Sequence, residues 1–192
     1  LVVDDAAATG ANDPALFIDA GTGGAGRVAA LTTSSGVTAD RALLRAGGDI
    51  ALAGPNILTA LAAESAGGTI RFANTGTLAL RPVSTTRLGS AVSIGQLRTT
   101  NQNIWVSATA IQGQVPANTG DILIGNLVDA GTGAVALQAA GAVTAQAANI
   151  VQAGRLSVQA GAGATLDNAN QVGVLAGNVT GALTFRSAAG IS

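Results

Sequence analysis

The chain has 192 residues and a net charge of −1, with 48 % hydrophobic and only 10 % charged residues. That balance excludes an intrinsically disordered chain, and near-neutrality leaves no electrostatic footprint for nucleic acid or anionic lipid. Cys, His, Lys, Met and Tyr are absent and all nine cations are Arg, which excludes thiolate metal sites, disulfides, thiol nucleophiles and most general bases.

The apolar supply is Ala, Val, Leu and Ile, against three Phe and one Trp. A compact globule draws heavily on large aromatics for its core. Here a narrow, regular interior of small aliphatic groups is expected, within a single domain over 1–192. The opening Leu1-Val-Val-Asp-Asp-Ala lacks the basic stretch and apolar run of a signal peptide, so no leader is expected within these residues.

In chain order, an apolar run at Ala15 to Ile18 leads into Gly21-Thr-Gly23-Gly-Ala-Gly26. Two segments then imitate helices. Val37 to Gly47 has a candidate cap at Thr38, and Asn56 to Gly67 carries apolar Ile57, Leu58, Leu61 and Ala62. Each ends in a Gly-Gly pair followed at once by an alternating run, and the strand-and-turn reading is preferred to a short lateral helix. The runs themselves open on Asp, Asn, Thr or Gly: Asp49-Ile-Ala-Leu, Thr69-Ile-Arg-Phe, Asn103-Ile-Trp-Val and Asp121-Ile-Leu-Ile. Later come Gly133-Ala-Val-Ala-Leu-Gln-Ala, Gly154-Arg-Leu-Ser-Val-Gln-Ala and Gly181-Ala-Leu-Thr-Phe-Arg-Ser, with shorter runs at Gly141 and Gly163. The string Asp-Ala-Gly-Thr-Gly occurs at 19–23 and again at 129–133.

Within each run the apolar period is 2, the strand signature, and Gly, Asn and Asp between runs supply turn conformations. The repeat is irregular, with a coil of roughly 18–22 residues that cannot bury an apolar face alone and must stack on its neighbours. The predicted fold is all-β: a right-handed parallel β-helix, its coils at about 4.8 Å spacing. Alternation places Ile70 and Phe72 inside with Arg71 outside, Ser157 outside, and Leu183 and Phe185 inside with Arg186 outside. Ala130 to Gly154 has no charge, but its Gln138, Thr144, Gln146, Asn149, Gln152 and internal glycines argue against a membrane span. Four aromatics cannot furnish the girdles of an outer-membrane barrel.

The strings Arg45-Ala-Gly-Gly-Asp-Ile-Ala-Leu, the run 133–145 and Gly181-Ala-Leu-Thr-Phe resemble filamentous-haemagglutinin-type exoproteins. The resemblance, one of texture over the whole chain, implies a large secreted bacterial surface adhesin exported through a partner outer-membrane pore. An autotransporter passenger would share the fold and differ in export route. That family's secretion domain carries Asn-Pro-Asn motifs, and Gly54-Pro55-Asn56 does not match, so a repeat shaft is implied rather than a secretion domain. The resemblance further implies an extracellular or cell-surface location and contact with a host or bacterial receptor or glycan. Uncapped end coils would expose strand edges and invite end-to-end self-association, while charge and composition speak against nucleic-acid binding and membrane insertion.

Candidate chemistry is sparse. Gly21 to Gly26 fits G-x-G-x-x-G with Asp40 downstream, but Thr32-Thr-Ser-Ser-Gly36 interrupts the helix that a dinucleotide site requires. The second Asp-Ala-Gly-Thr-Gly leads into a strand, so a repeated turn is preferred and no cofactor is expected. Asp4, Asp5, Asp13 and Asp19 are the one local acidic group. Calcium there is set against solvated turn carboxylates, with Asp4 and Asp5 facing opposite sides of one strand. A glycan-cleaving β-helix needs clustered carboxylates; a lone Glu64 and scattered Asp49, Asp121 and Asp167 do not supply them, and no catalytic or metal residue is assigned. A β-helical glycan-binding or glycan-cleaving protein is the alternative to the shaft. Trp105, with Leu123 placed beside it 18 residues on, is the candidate surface contact; the other reading puts Trp105 under a loop or in the core. Asn178-Val-Thr180 fits a glycosylation sequon, a pattern common by chance.

Overall fold

The computed structural model describes residues 2–5, 15–21, 26–29, 36–87, 90–111 and 119–191. Every regular element among them is a β-strand. Seventeen of these strands form one sheet. Its pairings are parallel apart from Val2–Asp5, which runs antiparallel to Ala15–Asp19.

Parallel pairing recurs coil by coil and sorts the strands into three ladders. The first stacks Val28, Ile50, Ile70, Ile104, Val135, Leu156 and Leu175 in register. The second stacks Leu78, Ile122, Val143, Ala164 and Leu183. The third stacks Ile18, Leu44, Ala63, Leu97 and Val128. Apart from Leu183, these side chains point inward and join one continuous core, in which nearly every contributor is Ala, Val, Leu or Ile. Alternation explains the choice: with period 2, an aliphatic side chain at each inward position meets another aliphatic one coil away, about 4.8 Å along the stack. Phe72, fully buried, is the bulkiest group in this core.

The inward and outward assignments hold at Ile70, Phe72 and Arg71. They hold only in part in the strand Leu183–Ser187. There Leu183 is 40 % exposed and Phe185 half-buried, because no following strand pairs with this one among the described residues.

Coil length departs from the expected 18–22 residues at two places. The first-ladder steps from Ile50 to Ile70, from Val135 to Leu156 and from Leu156 to Leu175 fit it, whereas Ile70 to Ile104 and Ile104 to Val135 are longer. The first excess is an antiparallel hairpin, Val83–Arg87 with Ser90–Ile94, inserted between Leu80 and Leu97. Leu80 pairs with Leu61 and Leu97 with Ala63, so the chain leaves the stack and re-enters two positions on. The second excess lies between Thr109 and Ile122.

That hairpin makes a second, smaller core outside the stack from Phe17, Leu43, Ala60, Ala62, Val83 and Ile94. The underlying strands Arg41–Ala46 and Ala60–Ser65 are thereby buried on both faces, and Ala42, Leu43 and Leu44 are all fully covered. Strands covered on both faces read as continuous apolar runs rather than alternating ones. This is why 37–47 and 56–67 imitate helices in the sequence; their regular structure is strand.

Polar groups hold the corners. Asn56, Asn74 and Asn170 are buried, and each donates from Nδ2 to corner carbonyls while its Oδ1 accepts a backbone N–H. For Asn170 the acceptors are the carbonyls of Leu166, Asn168 and Arg186 at 2.8, 2.9 and 3.0 Å, and the donor is Val151 N–H at 2.9 Å. Backbone amides at a corner have no ladder partner, and a buried one must find a bond elsewhere.

Outward charges are arranged by sign. Asp19, Arg45, Glu64, Arg98 and Asp129 occupy one row of the third ladder, alternating negative and positive from coil to coil. Arg45 lies 3.9 Å from both Asp19 and Glu64, and Arg98 lies 3.5 Å from Asp129.

Candidate functional site around Trp105

Trp105 sits on the outer face of the first ladder. Its neighbours in the strand Ile104–Thr109, Ile104 and Val106, are buried, which turns the indole outward, half-buried. Cross-strand register puts Arg71 on one side and Ala136 on the other. The Arg71 guanidinium lies 5.0 Å from the ring centroid, a cation–π contact that fixes the ring. A shallow groove of about 180 Å³ follows the ends of this strand and of Ala134–Ala139. Trp105, Ser107, Thr109 and Gln138 line it together with Ala139 and Ala140.

The reading that set Leu123 beside Trp105 is corrected. Leu123 belongs to the second ladder, where it pairs with Ala79 and Thr144. The 18-residue spacing compared strands of different ladders, because the extra residues between Thr109 and Ile122 displace the count. What stands at the Trp105 position one coil on is Ala136, then Ser157 and Ala176. The next outward row runs Ala73, Ser107, Gln138, Gln159 and Asn178. Among the described residues, the amides of Gln138, Gln159 and Asn178 are exposed and hold no side-chain hydrogen bond. The sequence did not single out Gln138 and Gln159, since their alignment becomes visible only once the register is known.

The carboxylates are dispersed and structural. Asp49, Asn103 and Asp121 each open a strand, and each accepts the backbone N–H at the matching position one coil on: Thr69, Ala134 and Ala142, at 2.9, 2.9 and 2.7 Å. The recurring Asp or Asn at run openings is therefore a coil-to-coil cap. Thr69 N–H holds the Asp49 carboxyl below the usual carboxylate range, helped by the Thr69 hydroxyl and the Arg27 charge against a smaller opposing effect of burial. Asp49 opens a first-ladder strand, Asp121 a second-ladder strand, and Asp167 is an exposed residue of Ala164–Val179. The fold does not bring the three together.

Asp19 and Asp129 play one role twice. Asp19 Oδ1 accepts Gly21 N–H and Asp129 Oδ1 accepts Gly131 N–H, both at 2.8 Å. Both glycines have left-handed φ, +79° and +56°, which a side chain at that position would resist. The Asp-Ala-Gly-Thr-Gly string is thus a repeated Asx-type turn. After Gly26 the next element is the strand Val28–Ala29, not the helix a dinucleotide site requires. Asp4 and Asp5 lie in the strand Val2–Asp5, and Asp13 lies outside the described residues. No group of three or more potential metal ligands occurs among the described residues.

Compared with protein-family models, with curated protein sequences and with solved structures, the chain matches none. Only its own residues therefore bear on function. Ala130 to Gly154 folds as the strands Ala134–Ala139 and Val143–Ala145 and the start of Val151–Ala160, and no described helix is long and apolar enough to cross a membrane.

Proposed function

We propose that the chain is a segment of a right-handed parallel β-helix that forms the structural shaft of a large secreted bacterial adhesin of the filamentous-haemagglutinin type. The observation that carries this is the row-by-row register: each ladder repeats the same inward position through successive coils, so added residues add length. Parallel crossovers in one sheet are right-handed in about 98 % of cases, which gives the hand. An aliphatic interior, coil-to-coil caps and outward Arg, Asp and Thr suit an element that supplies reach and surface rather than chemistry. The inserted Val83–Ile94 hairpin sits outside the stack and leaves its repeat intact.

In this reading the segment leaves the cell through a partner pore of the outer membrane, or as an autotransporter passenger, and lies on the cell surface.

The test is electron microscopy of the purified segment together with protease accessibility on the intact producing cell. A slender particle and a surface-accessible chain are expected. A compact particle, or full protection outside-in on unbroken cells, would overturn the proposal.

A further inference from the structure

We infer that the outer face of the first ladder around Trp105 binds a neutral, linear glycan. Three observations converge on that chemistry.

The first is the indole. An aromatic ring half-buried on the outer sheet face, with the Arg71 guanidinium over it and only Ala136 as its other cross-strand neighbour, presents its remaining apolar surface as a platform at low entropic cost. A ring already held in place loses little freedom on binding, and such preorganisation favours affinity. The C–H face of a pyranose is the natural partner for a platform of that kind.

The second is the amide row. Gln138, Gln159 and Asn178 project from successive coils beside Ser107, at the sheet's own repeat of about 4.8 Å. Each amide offers a donor and an acceptor, the set that a sugar hydroxyl can engage from both sides. These amides have no side-chain bond within the described protein, whereas Asn56, Asn74 and Asn170 are all engaged at the corners. A periodic row of free amides suits a ligand that is itself periodic.

The third is charge. No carboxylate lines the groove, and the nearby Arg71 is engaged with the ring. A polyanion would call for a row of cations, and the row here is neutral. The inference is independent of how the chain is exported.

The test is affinity electrophoresis of the whole chain in gels containing hydroxyethylcellulose, xylan, galactomannan or dextran, with polygalacturonate and heparin as acidic arms. At least one neutral polysaccharide is expected to retard the chain. Trp105→Ala should weaken that retardation at least tenfold, and the double variant Gln138→Ala/Gln159→Ala should weaken it severalfold, with the double variant keeping the melting temperature of the parent. Retardation by none of the neutral polymers would overturn the inference. So would retardation by the acidic arms alone, or retardation that survives in the double variant.

Discussion

Replacing Asn170 with Ala tests whether the corners or the aliphatic interior set local stability. The side chain is fully buried and joins three strands: its amide serves the carbonyls of Leu166, Asn168 and Arg186, and its oxygen takes Val151 N–H. Truncation leaves that N–H and up to two carbonyls without partners. A buried unsatisfied group costs about 1–3 kcal/mol, with carbonyls at the low end, so a loss of about 3 kcal/mol is expected. For a chain of this size that corresponds to a fall of roughly 6–12 °C in Tm. Stacked coils need not melt together, so the better assay is hydrogen exchange at Val151, whose protection should drop first. Asn170→Asp keeps the volume but turns an acceptor toward three carbonyls, and should cost at least as much as Ala. Gln171→Ala, at the exposed next position, should cost under about 0.5 kcal/mol. A loss below about 1 kcal/mol for Asn170→Ala, with Val151 still protected, would show that the corner amide is incidental.

Two further outcomes concern the charges. Glu64→Arg sets three guanidinium groups in one row, Arg45, the new Arg and Arg98, and should destabilise by about 1 kcal/mol at low salt, shrinking in 1 M NaCl as screening sets in; a salt-independent loss would point to packing instead. Because folding depresses the Asp49 pKa, its charged form contributes stability above the usual carboxylate range, lost as pH falls through the folded value. Asp49→Asn keeps an acceptor for Thr69 and removes the charge, so the gap in melting temperature between parent and variant should be widest near neutrality and close on acidification; a gap that widens on acidification would refute the assignment.

The sequence carried the strands wherever one strand face meets water. Ile70-Arg71-Phe72 and Leu156-Ser157-Val158 alternate because the outside is solvated, and their faces were legible without coordinates. Legibility failed where a second layer covers the sheet. Leu43 and Ala62 are buried by a hairpin that no local pattern announces as their cover, and the alternation vanishes there. It failed again at the site, since Leu123 and Trp105 are adjacent only if every coil has one length. The extra residues between Thr109 and Ile122 break that assumption, so that Ala136 rather than Leu123 stands beside Trp105. The buried asparagines escaped notice because Asn at a turn is ordinarily read as solvated, and only the stacking of corners makes it an interior residue.

Register is the property on which both the proposed shaft and the proposed binding face depend, and the interior alone specifies it weakly. A core of interchangeable Val, Ile, Leu and Ala gains nearly the same burial if one coil slips by two residues, because a two-residue slip returns inward positions to the inside. The outward groups break that degeneracy. A slip of Arg41–Ala46 on Ala60–Ser65 would part Arg45 from Glu64, and one in the first ladder would pull Asp49 from Thr69 N–H. Each such contact is worth little by itself, but a slipped coil forfeits its cap, its ion pairs and its corner amide together. That sum discriminates between registers even where no single term dominates stability. It also holds Trp105, Gln138 and Gln159 in adjacent places although the Val83–Ile94 hairpin lengthens one coil, because that hairpin pairs with itself and stays outside the ladder.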